Sequence, residues 1–223
     1  MTEQFDLRGS GMTSQRARDR LVVNLQDKGI TSESVLNTIK NTPRHIFLDE
    51  ALAHGAYENN ALPIGFNQTI SQPYIVAKMT ELLLANKLPN KVLEVGTGSG
   101  YQTAVLAQLV QTVYSVERIK PLQDRARLKL QAMELKNVYL YHSNGEMGLS
   151  QYAPFDAILV TAAPDEVPQS LLSQLTVGGV MVIPVGGSAH QELKVITKKS
   201  DTVFDTKVIE DVNFVPLLSG VIS

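Results

Sequence analysis

The chain has 223 residues, 43% of them hydrophobic, and a formal charge of −2 at pH 7. This length and apolar content allow one sizeable core, and the near-balanced charge excludes the dense basic face that attracts nucleic acid or an anionic membrane. The lack of cysteine excludes disulfides, thiolate catalysis and cysteine-ligated zinc.

The remaining composition excludes two further classes of protein. The four histidines (His45, His54, His142 and His190) show no paired ligand spacing, so no metal site is predicted. The N-terminus lacks an apolar signal core, and no apolar run approaches the roughly 20 residues that span a bilayer. We therefore expect a cytoplasmic protein that has neither nucleic acid nor membrane as a partner. His45 and His54 are predicted to be surface or satisfied core groups.

The sequence predicts a helical cap in the N-terminal quarter of the chain, residues 1–61. The first twelve residues are polar and punctuated by glycine, and we expect them to be loosely held. Two helical patterns follow at residues 14–28 and 32–41. The sequence thus predicts two helices before any sheet begins.

A polar loop comes next, at residues 62–74, with the sequence "LPIGFNQTISQPY". Its prolines and glycine exclude the interior of a helix or a central strand. The residues just before it, Tyr57, Glu58 and Asn59, are candidates to support it. A further helix is predicted at residues 73–84.

Beyond residue 88 the pattern becomes an alternation of short apolar runs and helices, which indicates βαβ units. The fold class is therefore α/β: a doubly wound, mostly parallel, seven-stranded, Rossmann-like sheet, in one domain with the cap. The last two strands are joined without a long helix, so we expect an antiparallel hairpin at the sheet edge. The predicted strands are residues 91–95, 112–116, 138–142, 155–161, 179–184, 192–197 and 208–215, and the predicted helices are 102–109, 122–133 and 169–175.

The stretch "KVLEVGTGSGYQTAVLAQL" contains a buried strand, a glycine loop and a helix in succession. In a doubly wound sheet such a loop lies over the carboxyl end of a strand, where ligands bind. Gly96, Gly98 and Gly100, with Thr97 and Ser99 between them, follow G-x-G-x-G, which is tighter than the dinucleotide pattern. It resembles the S-adenosylmethionine loop of class I methyltransferases. A tight strand-to-helix turn is the alternative interpretation.

Two acids accompany the glycine loop. Glu117 closes the next strand, 21 residues after Gly96, where a carboxylate can accept hydrogen bonds from both ribose hydroxyls. An exposed acid beside Arg118 is the alternative. Glu94 lies within an apolar strand, where a carboxylate needs polar or cationic partners. The cationic amino group of the cofactor or nearby loop amides would supply them.

Two later strand ends complete the predicted cofactor site. In "YHSNGEMG", Asn144 and Gly145 are placed to flank an adenine edge, although a simple turn explains them equally well. The fourth strand ends in "TAAP". It lacks the polar clamp with which amino-group methyltransferases hold a base, so a nucleobase acceptor is disfavoured.

The stretches "LPIGFNQTISQPYIVAKMTELL", "VLEVGTGSGYQTAVLA", "VYSVER", "PFDAILVTAAP", "QLTVGGVMVIPVG" and "FVPL" together resemble the protein-L-isoaspartate O-methyltransferase family. The resemblance runs from about residue 12 to the C-terminus. It implies that S-adenosyl-L-methionine donates a methyl group to the α-carboxylate of L-isoaspartyl residues in age-damaged proteins and peptides, leaving S-adenosyl-L-homocysteine. It also implies that residues 62–74 form the active-site lid.

The resemblance assigns roles to individual residues. It makes Ser71 the active-site serine and makes Gln68, Thr69 and Ile70 cofactor contacts. We predict in addition that the Thr69 hydroxyl helps Ser71 to hold the acceptor carboxylate. The cofactor contacts that the resemblance implies also include the glycine loop, the ribose acid and the adenine contacts: Gly96, Thr97, Gly98, Ser99, Gly100, Glu117, Asn144 and Gly145. Glu94 joins the predicted cofactor set because of its place in the apolar strand.

Two positions depart from the family pattern. Asn67 stands where most members have glycine, and asparagine tolerates the positive φ that such a position needs. Asn144 stands where most members have aspartate, and we expect the lost charge to weaken cofactor binding.

The implied chemistry requires no general base, because an α-carboxyl with a pKa near 3.5 is almost fully ionised at pH 7. Ser71 is therefore predicted to orient the carboxylate rather than attack it. Strand addition at the edge strand ending in "NFVPL" is our hypothesis for peptide binding. A degenerate, non-catalytic relative and a nicotinamide oxidoreductase are the alternative functions.

Overall fold

The computed structural model describes residues 5–223. Its two N-terminal helices, α1 (Gln15–Asp27) and α2 (Glu33–Asn41), confirm the predicted helical segments. The chain leaves α1 through Gly29, whose φ of +90° lies in the left-handed region that favours glycine. Ser32 begins α2, because its hydroxyl accepts the Val35 N–H.

The N-terminal segment is held more firmly than its polar sequence predicts. Arg18 of α1, only 5% exposed, donates to the carbonyl oxygens of Leu7 and Arg8 at 2.8 and 3.0 Å. His45 Nε2 donates to the carbonyl oxygen of Asp6 at 2.7 Å, and Tyr57 donates to Nδ1 of the same ring. Buried N–H groups need acceptors, and this segment supplies them. The expectation of a loose segment was therefore wrong for residues 5–12, and residues 1–4 lie outside the described part.

The lid contains a small antiparallel hairpin, β1 (Leu62–Gly65) and β2 (Gln68–Ile70). Phe66 and Asn67 form its turn with φ values of +54° and +56°. Asn67 thus has the positive φ that asparagine tolerates better than most residues other than glycine. Helix α3 (Pro73–Leu84) follows at the predicted residues.

The main sheet has seven strands in the order β5-β4-β3-β6-β7-β8-β9. The first five in this order are parallel, and β8 and β9 add to the edge as an antiparallel pair, as predicted. The strands are β3 (Lys91–Val95), β4 (Thr112–Glu117), β5 (Val138–His142), β6 (Phe155–Val160), β7 (Leu175–Val185), β8 (Glu192–Lys198) and β9 (Phe204–Asp211). The helices between them are α4 (Tyr101–Ala107), α5 (Lys120–Ala132) and α6 (Gln169–Ser173).

This strand order creates a switch point at β3. The chain proceeds from β3 to β4 and β5 on one side, and then returns to β6 on the other side. Open α/β sheets bind ligands at such a point, outside the carboxyl ends of the strands. The loop that follows β3 therefore lies where this fold places a ligand.

The last strand differs from its prediction. It spans Phe204–Asp211 rather than residues 208–215, and the chain leaves the sheet after Asp211. The reason is side-chain competition, because Gln191 Oε1 accepts the Phe214 N–H at 2.6 Å and Gln191 Nε2 donates to the Phe214 carbonyl oxygen at 3.1 Å. The expectation that the edge strand ends in "NFVPL" was wrong. Residues 213–217 instead cross the carboxyl ends of the parallel strands.

The helical cap and the glycine-loop helix share one apolar core. Buried side chains from α1, α2, the lid and α4 pack in a single cluster that includes Leu25, Val35, Ile64 and Tyr101. The cap therefore packs against both the lid and the helix that follows the glycine loop. Over residues 5–223, none of the helices has both the length and the apolar content that crossing a membrane requires.

Candidate functional site

Two clefts meet at the carboxyl ends of the central strands. The inner cleft lies above β3, and residues 68–71, 95–99, 116–119 and 215–218 form most of its wall. The outer cleft lies between the lid and the end of β9, and residues 60–61, 71–72, 74–75 and 210–215 form most of its wall. Four residues line both clefts: Thr69, Ser71, Thr161 and Val215. A ligand in one cleft can therefore react with a ligand in the other at this junction.

The glycine loop forms the floor of the inner cleft, and its shape depends on glycine. Gly96, Gly98 and Gly100 have φ values of +99°, +52° and +89°, which residues other than glycine rarely adopt. A Cβ on Gly96 would lie 2.3 Å from Thr161 Oγ1. Gly96 and Gly98 line the cleft, whereas Gly100 lies behind it and starts α4. The loop is thus fixed by backbone geometry.

Glu117 lies at the predicted position beside the loop. Its carboxylate is 6% exposed, lines the inner cleft and accepts the N–H groups of Gly98 and Ile119 at 2.8 and 2.9 Å. A carboxylate has about four acceptor directions, so two remain for a ligand. The empty space in the cleft, including the part open to solvent, is about 800 Å³. These features fit a nucleoside cofactor that carries a ribose diol.

Glu94 lies under the floor rather than in the cleft wall. It is fully buried, and its Oε2 accepts the hydroxyls of Ser115 and Thr103 at 2.6 and 2.5 Å. Its Oε1 has no hydrogen-bond partner within residues 5–223. Burial raises the pKa of Glu94 to about 7. Thr97 Oγ1 lies 2.6 Å from Ser115 Oγ and so connects the Glu94 carboxyl to the cleft through hydrogen bonds. Because Glu94 itself does not line the cleft, its role in cofactor binding stays a prediction.

Asn144 and Gly145 lie at the end of β5, with different relations to the cleft. Gly145 lines it, and a Cβ there would meet Val95 Cγ1 at 2.6 Å. Asn144 Oδ1 accepts the Glu146 N–H at 3.2 Å and caps a short turn. Its part in adenine binding stays a prediction, as does the weakened cofactor affinity.

The lid places its four predicted residues together. Gln68, Thr69, Ile70 and Ser71 all line the inner cleft. Asn59 supports the lid, because its side-chain oxygen accepts the Tyr74 N–H at 2.9 Å and its carbonyl accepts a Gln72 side-chain N–H at 2.7 Å.

Thr97 and Ser99 also lie on the inner-cleft wall. Ser99 Oγ accepts the Tyr101 N–H at 3.2 Å, so that hydroxyl oxygen already helps to begin α4.

Sequence reasoning missed Thr161 as part of the site. Its hydroxyl lies 3.0 and 2.9 Å from the carbonyl oxygens of Val95 and Gly96, to which it donates, and the side chain lines both clefts. The signal was its place in "TAAP", at the carboxyl end of the strand beside β3.

Arg44 was also missed. It is fully buried, its Nη2 donates to the Asn60 carbonyl oxygen at 3.2 Å, and its guanidinium stacks 4.9 Å from the centre of the Tyr101 ring. It thus joins the base of the lid to the first residue of α4.

Comparison of this chain with known proteins identifies one methyltransferase family. The model of the protein-L-isoaspartate(D-aspartate) O-methyltransferase family matches residues 15–221. A Saccharophagus degradans protein-L-isoaspartate O-methyltransferase is 57% identical over 220 residues, covering 98% of this chain and 99% of the relative. Protein-L-isoaspartate O-methyltransferase 1 of Marinobacter nauticus is 58% identical over 222 residues, covering 100% of both chains.

Solved structures give the same result. One protein-L-isoaspartate O-methyltransferase superimposes with a TM-score of 0.80 at 27% identity, over 89% of this chain and 65% of its own length. A Plasmodium falciparum structure assigned to the same family has a TM-score of 0.79 at 26% identity, over 90% of this chain and 98% of its own. The Plasmodium protein was solved in complex with S-adenosyl-L-homocysteine.

Proposed function

The chain belongs to the protein-L-isoaspartate(D-aspartate) O-methyltransferase family, and we propose that its reaction takes place where the inner and outer clefts meet. It is an S-adenosyl-L-methionine-dependent enzyme that methylates the α-carboxylate of L-isoaspartyl residues and so initiates protein repair. One observation supports this location above all others: Thr69 and Ser71 line both clefts.

We assign the cofactor to the inner cleft. When bound, S-adenosyl-L-methionine supplies an electrophilic methyl group. Glu117 would accept hydrogen bonds from the ribose, and the glycine loop would allow close approach of the nucleoside. Gly145 would leave room for the base. The left-handed glycines and the unused acceptor directions of Glu117 support this assignment.

We assign the acceptor carboxylate to the junction. Thr69 and Ser71 have no side-chain hydrogen bond to any residue in the range 5–223, so their hydroxyls are available as donors. Both hydroxyls would donate to the same oxygen of the carboxylate. The second carboxylate oxygen would then face the inner cleft. Thr161 is an unsuitable donor, because its hydrogen is already given to backbone carbonyls. Two hydroxyls, those of Thr69 and Ser71, are therefore the donors to the acceptor carboxylate.

No group needs to remove a proton in this step. The acceptor is an α-type carboxyl, whose pKa of about 3.5 leaves it ionised at pH 7. The chain's contribution is then alignment and exclusion of water, which are recognised sources of rate enhancement. Ser71 acts as an orienting donor, and its hydroxyl keeps its hydrogen throughout.

The outer cleft supplies the space for a polypeptide. Its empty space, including the part open to solvent, is about 1380 Å³, against about 800 Å³ for the inner cleft. We propose that the chain flanking the isoaspartyl residue lies there. Age-damaged proteins are the proposed partners and the cytoplasm the proposed location. Cell fractionation with an antibody against this chain checks that location.

A labelled-methyl assay tests the function. The protein is incubated with methyl-labelled cofactor and either an isoaspartyl peptide or the same peptide with ordinary aspartate. We expect base-labile methyl ester, released as methanol, only from the isoaspartyl peptide. Calorimetric binding of S-adenosyl-L-homocysteine without any methyl ester would instead establish the degenerate alternative. A fluorescence change on mixing with NADH would support the oxidoreductase alternative.

A further inference from the structure

The C-terminal segment has two anchors on the sheet. We name residues 215–222 the C-terminal strap. At its start, the Ala163 N–H donates to the Val215 carbonyl oxygen and the Leu217 N–H donates to the Ala163 carbonyl oxygen, both at 2.8 Å. Ala163 follows the end of β6. The strap therefore begins at the carboxyl end of that strand.

The far end of the strap is attached at a different strand. The Ile222 N–H donates to the Arg118 carbonyl oxygen at 2.7 Å, and the Lys120 N–H donates to the Ile222 carbonyl oxygen at 2.9 Å. These two bonds form a parallel bridge between Ile119 and Ile222. Ile119 follows the end of β4, just past Glu117.

The two anchors fix the path of the strap over the site. In the sheet, β3 lies between β4 and β6. A segment that runs from the end of β6 to the end of β4 must therefore pass over the end of β3, where the glycine loop begins. Leu217 and Leu218 of the strap accordingly line the inner cleft. Residues 219–222 do not line it, so they act only as the attachment.

Two side chains secure this attachment. Arg118 Nε and Nη2 donate longer hydrogen bonds, of 3.3 and 3.4 Å, to the carbonyl oxygens of Gly220 and Ser219. His142 of β5 places Nε2 3.0 Å from the Arg118 carbonyl oxygen and 3.1 Å from that of Ile222. Because both of these partners are acceptors, His142 Nε2 must carry a hydrogen. No other role was found for His142 in the site described above.

We propose that the C-terminal strap is a wall of the cofactor site, and that Arg118, His142 and the Ile222 bridge are positioning groups that set cofactor affinity. The inference rests on the proposed function only in that S-adenosyl-L-homocysteine is its probe. Residues 218–223 are exposed, so the attachment relies on a few hydrogen bonds rather than on burial. If the strap detaches, only the closed fraction of molecules has a complete cleft, and apparent affinity falls in proportion.

A short truncation separates the attachment from the wall. Deleting residues 220–223 removes the Ile222 bridge and leaves Leu217 and Leu218 in the chain. We expect calorimetry with S-adenosyl-L-homocysteine to show about tenfold weaker binding, the loss expected when the strap is closed about a tenth of the time. Deleting Ser223 alone is the matched control and should leave affinity unchanged. An unchanged dissociation constant for the longer deletion would overturn the proposal.

A histidine series gives a second test that does not shorten the chain. His142→Ala should weaken binding several-fold, while His142→Gln, which keeps an N–H at a similar distance from the backbone, should restore most of it. The exposed His54 provides the control, His54→Ala. A purely structural histidine would lower the melting temperature of the ligand-free protein without changing affinity. Equal affinity in wild type and His142→Ala would contradict the proposal.

Hydrogen exchange provides a readout that is independent of turnover. Binding of S-adenosyl-L-homocysteine should slow exchange of the Ile222 and Lys120 amides, although neither residue lines the inner cleft. Exchange rates at these amides that do not respond to the ligand would count against a coupled strap. If wild type bound no S-adenosyl-L-homocysteine, the proposed function itself would fail. Binding that is equal with and without the strap would overturn only this inference.

Discussion

The inner and outer clefts meet at four residues but are built in different ways. Backbone atoms shape the inner cleft, through Gly96 and Gly98, which have positive φ, and through amides that donate to the buried Glu117. The outer cleft has side-chain walls from distant parts of the chain: Lys28 follows α1, Tyr74 lies in α3 and Glu210 lies in β9. Tyr74 donates to Glu210 at 3.2 Å, across 136 residues of sequence.

This difference matches the two ligands. The cofactor is one molecule of fixed shape, and a rigid backbone cradle can fit it closely. Damaged proteins present many different flanking sequences, and a wider cleft lined by side chains tolerates them. The comparison therefore predicts that substitutions in the inner cleft have large effects on cofactor binding, and that substitutions in the outer cleft have small effects on substrate preference.

The largest effect is expected from Gly96→Ala. The new Cβ would meet Thr161 Oγ1 at 2.3 Å, at a backbone φ of +99°. Strain and overpacking together cost about 4 kcal/mol, which the loop can relieve only by leaving the shape that fits the nucleoside. Restoring that shape on binding would weaken the affinity for S-adenosyl-L-homocysteine by up to roughly a thousandfold. Calorimetry measures this loss directly.

Gly178→Ala is the matched control for that substitution. Gly178 has a φ of +83°, yet a Cβ there would have no atom within 4 Å. It should cost stability through strain while leaving the dissociation constant unchanged. Wild-type affinity in Gly96→Ala would break the comparison, because the inner cleft would then tolerate a change in its backbone shape.

The second effect concerns Glu94, the buried carboxyl beneath the inner cleft. Burial raises its pKa from 4.5 to about 7 in the folded protein. Between these values the folded protein holds a proton that the unfolded chain has released, so the free energy of unfolding falls as pH rises from about 5 to 7. The loss is complete above pH 7 and amounts to about 3 kcal/mol. Urea unfolding at several pH values measures it.

Two variants test the origin of that slope. Glu94→Gln should remove this part of the pH dependence. Thr103→Val removes a hydroxyl whose hydrogen bond lowers the pKa of Glu94. It should therefore move the end of the stability loss to higher pH. Identical pH profiles for wild type and Glu94→Gln would show that this carboxyl does not titrate in that range.

A smaller effect is expected at the outer cleft. Asp211 is exposed and lines the outer cleft together with Glu210 and Lys28. Isoaspartyl peptides with flanking lysines should have a kcat/KM about two- to threefold higher than peptides with flanking glutamates, and 0.5 M salt should remove the difference. Asp211→Asn should reduce the preference.

Asp205→Asn provides the control for this charge effect. Asp205 lies at the opposite end of β9 from the cleft and is also exposed. Its substitution should leave the preference intact. If the enzyme instead required one fixed flanking sequence, the outer cleft would be as selective as the inner cleft. That result would contradict the expected difference between the two clefts.

A similarly small effect is expected from Asn144→Asp. The Asn144 side chain already caps a turn through the Glu146 N–H, and aspartate can accept the same bond. The added charge should tighten cofactor binding about two- to threefold. Side-by-side calorimetry of the two proteins checks this, and equal or weaker binding by the variant would remove the expected disadvantage of Asn144.

The contrast between the clefts also explains what the sequence could predict. Gly96, Gly98 and Gly100 follow a strand within six residues, so a local pattern was enough to place them, and Glu117 followed from the regular spacing of βα units. The outer cleft has no such pattern. Nothing near Tyr74 in the sequence indicates that it contacts Glu210.

The features that the sequence did not predict also depend on contacts between residues far apart in the chain. The strap depends on contacts between Arg118 and Ser219, which are 101 residues apart. The tight hold on residues 5–12 depends on Arg18 and His45, whose burial no local pattern predicted. Strand ends were predictable only where turn residues set them, and Gln191 ended β9 through side-chain hydrogen bonds.

The central claim is that two hydroxyls orient an already ionised carboxylate without help from a base. The double variant Thr69→Ala/Ser71→Ala tests it most directly, with kcat/KM for an isoaspartyl peptide and the dissociation constant of S-adenosyl-L-homocysteine measured on the same preparation. Because each donor to a charged group contributes about 1.5 to 3 kcal/mol, we predict at least about a hundredfold loss of kcat/KM. Cofactor affinity should change by less than about threefold. Wild-type turnover in the double variant would contradict the account.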